Sequence, residues 1–311
     1  MNNGSKKKPL VSIGMPVLNG ENFLAFALDS LLAQDFQDYE LIISDNASTD
    51  STPEICKRYA EMDSRIRIFR NENCIGAAHN FNTVFDISNG EYFMWAAHDD
   101  LWEPSFIGTL FHLLKNDQNA SLAFCAFDNI DKNGRQIKTY PDLFDLPSDD
   151  LYSRLRNYVL QEEFLGKANP IYGLIPREVL LKTERFPLYV KDDWGIDMLL
   201  VFKILSLGKL VLSDQLMFHK RLYENDIEMT APHEQERFIE KAYRLLKFYS
   251  DETKHWHGYF KKYLKMIREI DELDSSQKSK LNKAVRLRNL KIKIRLVKEL
   301  IIDFGHQILR S

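Results

Sequence analysis

The 311-residue sequence has no apolar run approaching the roughly 18 residues needed to cross a bilayer, which excludes a membrane-spanning helix. Cysteine is scarce. Cys56, Cys74 and Cys125 are odd in number, widely spaced and form no CxxC pair, which argues against a disulfide scaffold or zinc ribbon and for a reducing, cytosolic compartment. Lys6, Lys7 and Lys8 lead into Pro9 and a strand-like run, not into a secretory h-region with its cleavage site. Glycine is sparse where nucleotide motifs need it: there is no G-x-G spacing and no G-x-x-x-x-G-K. His233-Glu234 lacks the second histidine of a zincin, and no G-x-S-x-G elbow occurs. Dehydrogenase, P-loop, zincin and serine-hydrolase readings therefore lose their main support.

What is there suits an ordinary globular chain, 44% hydrophobic and 28% charged, long enough to bury a core without staples. The net charge of −3 is unevenly placed. Residues Lys278 to Ser311 hold ten Lys or Arg against Glu299 and Asp303, a net of +8, which leaves −11 on the rest. Basic charge would line the body of a nucleic-acid binder, so that class is disfavoured.

The first half alternates strand and helix signals. Strands are expected at Leu10–Val17, Tyr39–Ser44, Ile66–Phe69, Glu91–Ala97 and Ser121–Phe127. Helices are expected at Glu21–Ala33, from Pro53 to about Met62, at Ala77–Ile87 and from near Pro104. Short strands alternating with helices predict an α/β fold on a mostly parallel sheet. After about residue 130 the pattern loosens. Asn133-Gly134 suggests a hairpin, helical stretches follow near Leu151–Phe164 and Gly195–Leu207, and a strand is expected at Lys209–Leu212. From His233 onward the chain reads as helical.

The chemistry-bearing residues are carboxylates at strand ends, where open α/β sheets bind ligands. Asp45 ends the second strand and the Asp99-Asp100 pair follows the fourth. Adjacent carboxylates after a buried strand are costly unless a cation or donors compensate. Mg²⁺ or Mn²⁺, held by one or two carboxylates plus substrate phosphates, suits so small a ligand set. The alternative is that one of the pair merely caps the helix near Pro104.

Four stretches are recognisable together. Val11 to Asn19, Asp45 to Thr52, Asn71 to Asn80 and Gly90 to Asp100 resemble, in order, the motifs of family 2 glycosyltransferases. The resemblance covers roughly Pro9 to Arg221 and implies the GT-A fold. It implies a GT-A domain over 1–230, with a nucleotide-sugar half at 9–130 and an acceptor half at 131–230; the helical extension at 231–311 lies outside it. It puts the Pro16-Val17 backbone beside the nucleoside and Asp45 against the base, at uracil N3. Asn19, Glu21, Gly76, Asn80, His98 and Asp99 fall at donor-binding positions, and Asp99 with Asp100 at the metal. Ala97 stands where the motif's first Asp is usual, and His79 where Arg is frequent.

In Lys191 to Asp197, the family's D-x-x-L-x-x-R spacing with a glycine eleven residues on is met by Asp197, Leu200, Lys203 and Gly208, with Lys for Arg. Asp197 is thus the expected base and Asp193 the second choice; acids at a helix N-terminus also have a purely electrostatic explanation. The implied reaction is inverting transfer from a UDP-sugar to a hydroxyl of a glycan or lipid-linked acceptor, in surface polysaccharide or glycolipid assembly. Two alternatives stay open: a non-catalytic nucleotide-sugar-binding or scaffold protein, motivated by Ala97 and His79, and a weaker metal-phosphohydrolase reading of His98-Asp99. His219-Lys220-Arg221 reads as a solvated basic turn more readily than as a diphosphate contact. Leu287, Leu290, Ile294, Val297, Ile301, Phe304 and Ile308 form an apolar stripe at three- and four-residue steps. With its basic neighbours the stripe suits an anionic membrane surface, here the inner face, or packing on the catalytic domain or another chain in a homo-oligomer.

Overall fold

A computed structural model of the chain describes residues 8–140, 147–163, 166–186, 195–222 and 238–309, with side chains of the last stretch from 246 to 303. The chain divides into two compact units, one of Met1–Arg154 with Glu162–Leu222, the other of Leu155–Gln161 with Tyr223–Ser311.

The first unit opens with β1 (Val11–Val17), α1 (Leu24–Leu32), β2 (Tyr39–Asp45), α2 (Thr52–Met62), β3 (Ile66–Arg70), α3 (Ala77–Asp86) and β4 (Tyr92–Trp95). Every residue of β1 and β2 is buried, as expected for parallel strands covered on both faces by the crossover helices. The order is β3-β2-β1-β4, all parallel. β8 (Ile175–Pro176) closes this sheet antiparallel to β4. The register places Val17 beside Asp45 and Asp45 beside Arg70, so the three strands end level. Behind β4, Phe93 and Trp95 stack edge-on at 4.8 Å, and Trp95 meets Phe186 at 5.0 Å.

A second sheet has the order β5-β9-β6-β7. It is built from β5 (Leu101–Trp102), β6 (Ala120–Ile130), β7 (Gln136–Tyr140) and β9 (Lys209–Arg221). β6 and β7 form the hairpin expected at Asn133-Gly134, and β9 runs parallel to β6. The remaining helices are α4 (Phe106–Asn116), α5 (Leu151–Leu160), α6 (Arg177–Leu181) and α7 (Ile196–Leu207).

β9 corrects the sequence reading. The strand continues far beyond Leu212, because a register shift between Ser213 and Leu216 absorbs the polar Asp214-Gln215 pair. His219-Lys220-Arg221 is consequently strand and not a solvated turn. Leu101 pairs with His219, which brings the end of β9 against Asp99-Asp100.

In the second unit, α8 (Phe238–Arg268) and α9 (Ser275–Leu309) form a helical hairpin. α9 starts with a reciprocal cap: Gln277 N–H donates to Asp274 Oδ1 at 2.8 Å and Asp274 N–H to Gln277 Oε1 at 3.0 Å. Trp256, Tyr259, Phe260, Tyr263 and Ile267 of α8 are buried, as are Leu281, Val285, Arg288 and Ile292 of α9. Tyr249, near the start of α8, donates its hydroxyl to Asp303 Oδ2, near the end of α9, at 2.8 Å, so the helices run antiparallel. The face α9 buries is not the stripe expected from the sequence: Leu287, Leu290, Ile294, Val297 and Ile301 are exposed. The Phe304 and Ile308 side chains, and the boundary expected at residue 230, lie outside the described residues.

Candidate active site

The loops leaving β1 and β2 are knitted together by their own polar side chains. Asn19 N–H donates to Ser48 Oγ at 2.9 Å and Thr49 N–H to Asn19 Oδ1 at 2.9 Å. Gly20 N–H donates to Thr52 Oγ1, and Ser51 N–H to Glu21 Oε2 at 3.0 Å. Asn19 holds a left-handed φ of 53°, which its short polar side chain tolerates. A Cβ on Gly20 would lie 2.7 Å from His98 Cδ2, so glycine lets the first loop touch the loop after β4. Asn19 and Glu21, both expected at the donor, thus sit on this rim with their side chains engaged in loop contacts.

Asp45 is the focal residue. Its side chain is only 1% exposed. Oδ1 accepts the Ser48 N–H at 2.9 Å; Oδ2 has no hydrogen-bond partner and faces Arg70 Nη1 at 3.3 Å as an ion-pair contact. Arg70, also bonded to Ser48 O at 2.9 Å, went unnoticed in the sequence. Its signal was positional, because the last residue of the third parallel strand is the lateral neighbour of the last residue of the second.

Asn80 is buried, and its amide is spent on β2: Nδ2 donates to Ser44 O at 2.9 Å while Oδ1 accepts Ser44 Oγ at 2.6 Å. Asn71 Nδ2 bridges Asn80 Oδ1 and Asn46 Oδ1. Asn80, expected at the donor, therefore positions the Asp45 strand end. Gly76 opens α3 at φ 85° with open space beside it, so the backbone angle and not crowding requires glycine there. Pro16 and Val17 are buried at the end of β1, where Val17 O accepts the Asn46 N–H at 2.8 Å.

Beyond β4 the paired carboxylates part company. Asp99 is half-buried, whereas Asp100 is 2% exposed and accepts the Arg221 N–H on Oδ1 at 2.9 Å. Burial, with the neighbouring Asp99 charge, pushes the Asp100 pKa up to about 7; Lys220 and Arg221 oppose this. Asp100, expected as a second metal ligand, has its Oδ1 engaged by the main chain of β9. Neither acid caps α4, whose N-cap is Ser105. Arg221 is buried, donating Nε to Asp99 O and Nη1 to Asp131 O, both at 2.8 Å, and its guanidinium lies 4.5 Å from the Phe23 ring centre. Lys220 Nζ donates to Asn169 Oδ1 at 3.0 Å.

Asp197 occupies the first turn of α7 and accepts the Met198 N–H on Oδ1 at 2.7 Å. Burial raises its pKa above the usual carboxylate range, with that N–H and the Lys220 charge acting in the opposite direction. Tyr172, just before β8, lies within electrostatic reach of both acidic groups. Burial raises its hydroxyl pKa well above the ordinary value, and the charges of Asp100, Asp197 and Asp99 all add to the effect. Tyr172 is half-buried and packs on Phe218, 5.8 Å between ring centres. Tyr172 and Asn169 are residues the sequence did not single out for this site, since they come from distant segments with no motif, whereas Arg221 belongs to the run weighed as a diphosphate contact. Asp193, the second candidate base, lies outside the described residues.

Comparison with known proteins bears on the family and the fold. The profile described as Glycosyl transferase family 2 matches residues 12–168. An uncharacterised glycosyltransferase of Rickettsia typhi is 29% identical over 234 residues, 74% of this chain and 69% of that one. Among solved structures, Staphylococcus aureus TarS 1–349 in complex with UDP-GlcNAc superposes with a TM-score of 0.63 at 18% identity, covering 96% of this chain and 80% of that one. The mannosyltransferase PcManGT of Pyrobaculum calidifontis, in complex with GDP-Man and Mn²⁺, gives 0.56 at 19% identity over 94% and 74%. The parallel-rich α/β sheet has the GT-A fold, and the chain belongs to glycosyltransferase family 2.

Proposed function

We propose that the enzyme transfers a sugar from a UDP-sugar, with inversion, to a hydroxyl of a glycan or lipid-linked acceptor in surface polysaccharide or glycolipid assembly. Asp45 carries the reading. Its Oδ2 is buried, makes no hydrogen bond, faces the Arg70 guanidinium at 3.3 Å and stands at the carboxyl edge of the sheet. A base N–H would supply the hydrogen bond it lacks, and a hydrogen bond to a charged group contributes about 1.5–3 kcal/mol. Uracil brings one such donor at N3. Guanine brings adjacent N1–H and N2–H donors, which suit a bidentate carboxylate, and Oδ1 is already held by Ser48.

Asp99 suits a share in a Mg²⁺ or Mn²⁺ shell completed by diphosphate oxygens and water. Among the described residues no group of three His, Cys, Asp or Glu could cage an ion, which supports an ion arriving with the donor. A bound ion supplies neutralisation of the charge that grows on the leaving diphosphate. Asp197 takes the proton of the acceptor hydroxyl as its oxygen bonds to the anomeric carbon and the bond to the diphosphate breaks. One base suffices for this single displacement, which is why inversion is preferred.

Screening the purified protein against nucleotide sugars tests the proposal. UDP release from one UDP-sugar is expected, and excess EDTA should suppress it. Asp45→Ala should weaken UDP binding by roughly 10- to 100-fold. Asp197→Asn should lower kcat by about 10² or more with donor affinity little changed. Preference for GDP-sugars, or an unimpaired Asp197→Asn enzyme, would overturn it.

A further inference from the structure

Helix α9 carries two apolar faces, and its own unit uses only one. Val285 and Ile292 point into the hairpin and are buried. At about 100° per residue, Leu287, Leu290, Ile294, Val297 and Ile301 fall in a sector roughly 80° wide on the opposite side. Their exposures run from 48% to 64%, high for five large apolar residues on one ridge. The ridge is about 21 Å long at 1.5 Å per residue, much longer than an isolated surface leucine would explain.

The charges beside the ridge indicate what covers it. By the same angular arithmetic, Arg286 and Lys293 flank it on one side and Lys291 and Lys298 on the other. Arg286, Lys291 and Lys298 are exposed and Lys293 is half-buried. The only acids in the segment from Lys278 onward are Glu299 and Asp303. Glu299 pairs with Arg295 at 2.6 Å and Asp303 accepts from Tyr249, so both are engaged elsewhere. A second copy docking on the same ridge would set flanking cations against flanking cations, a like-charge juxtaposition that opposes pairing. A surface rich in phosphate with an apolar layer beneath matches both features at once.

We propose that this outer face of α9 docks on an anionic lipid bilayer. The helix lies in the headgroup plane with its ridge in the acyl boundary, and the four flanking cations meet lipid phosphates. No described helix is long and apolar enough to span, so the contact is interfacial.

Flotation of the full chain with phosphatidylglycerol-rich vesicles tests this, with phosphatidylcholine vesicles as control. Binding to the anionic vesicles alone is expected, weakened as salt rises to about 0.5 M. Lys291→Gln with Lys298→Gln should lower partitioning about 25-fold, near fivefold per cation removed. Leu290→Glu with Ile294→Glu should abolish binding; these side chains are exposed, so circular dichroism and the unfolding midpoint should not change. Sedimentation of the same variants separates the competing occupant. Full-length protein that ignores anionic vesicles at low salt, binding that survives both double variants, or an oligomer dissolved by Leu290→Glu with Ile294→Glu would each overturn the proposal.

Discussion

Asp197 shows how a single side chain is tuned by its setting. An ordinary aspartate titrates near 4, too weak a base to compete well for a hydroxyl proton. Burial raises its pKa, and the opposing N–H of Met198 and charge of Lys220 limit the rise. A raised pKa means the carboxyl stays protonated, and idle as a base, to higher pH. With Asp197 as the proposed base, kcat should therefore rise with pH along a limb shifted above that of an ordinary aspartate. Replacing Lys220 by Met removes an opposing charge and should move that limb further up. A pH–kcat profile of both proteins measures it, and a limb that stays put or moves down would remove Lys220 from the electrostatics of the base.

At the scale of elements, the end of β9 is the strut that holds the carboxylate loop. Arg221 spends its main-chain N–H on Asp100, its Nε on the carbonyl of Asp99 and its Nη1 on that of Asp131. The planar fork reaches two carbonyls at once from a buried position, which a lysine ammonium cannot do in the same geometry. Arg221→Lys should cost the first unit on the order of 2–3 kcal/mol and leave the Asp99 loop less ordered. The expected readout is a lower unfolding midpoint together with weaker donor binding. A variant that loses stability but keeps donor affinity would show that the strut matters for folding alone. The strand itself was half legible. Lys209–Leu212 reads as β from its residues, but the continuation depends on a bulge opposite Cys125 and Ala126, a pairing that exists only once β6 lies alongside.

For the whole molecule, α5 decides where the units begin and end. Leu151 to Arg154 belong with the first unit, whereas Leu155 to Gln161 belong with the C-terminal helices. Leu155, Tyr158 and Val159 are fully buried. A fragment ending at Leu222 keeps these residues but loses the rest of their unit. Exposing three such side chains forfeits roughly 5 kcal/mol. Calorimetry with dye binding would compare the fragment with the full chain, and an unchanged midpoint without dye binding would show that the first unit is self-sufficient.

By itself the sequence determined the alternation of elements through Phe127 apart from the two-residue β5, because buried parallel strands and their crossover helices are written in local hydrophobic runs and turn residues. It also marked Asp45, Asp99 and Asp197, since each falls at a strand end or helix start within a recognisable stretch. Only the tertiary structure decided their company. Arg70 beside Asp45 follows from strand register, Arg221 beneath Asp99 from a bulged strand, and Tyr172 among three carboxylates from a short turn before β8. It also decided which face of α9 is buried. Both faces are apolar and periodic in the sequence, and the choice between them was made by the aromatic row on α8, more than a dozen residues away along the chain.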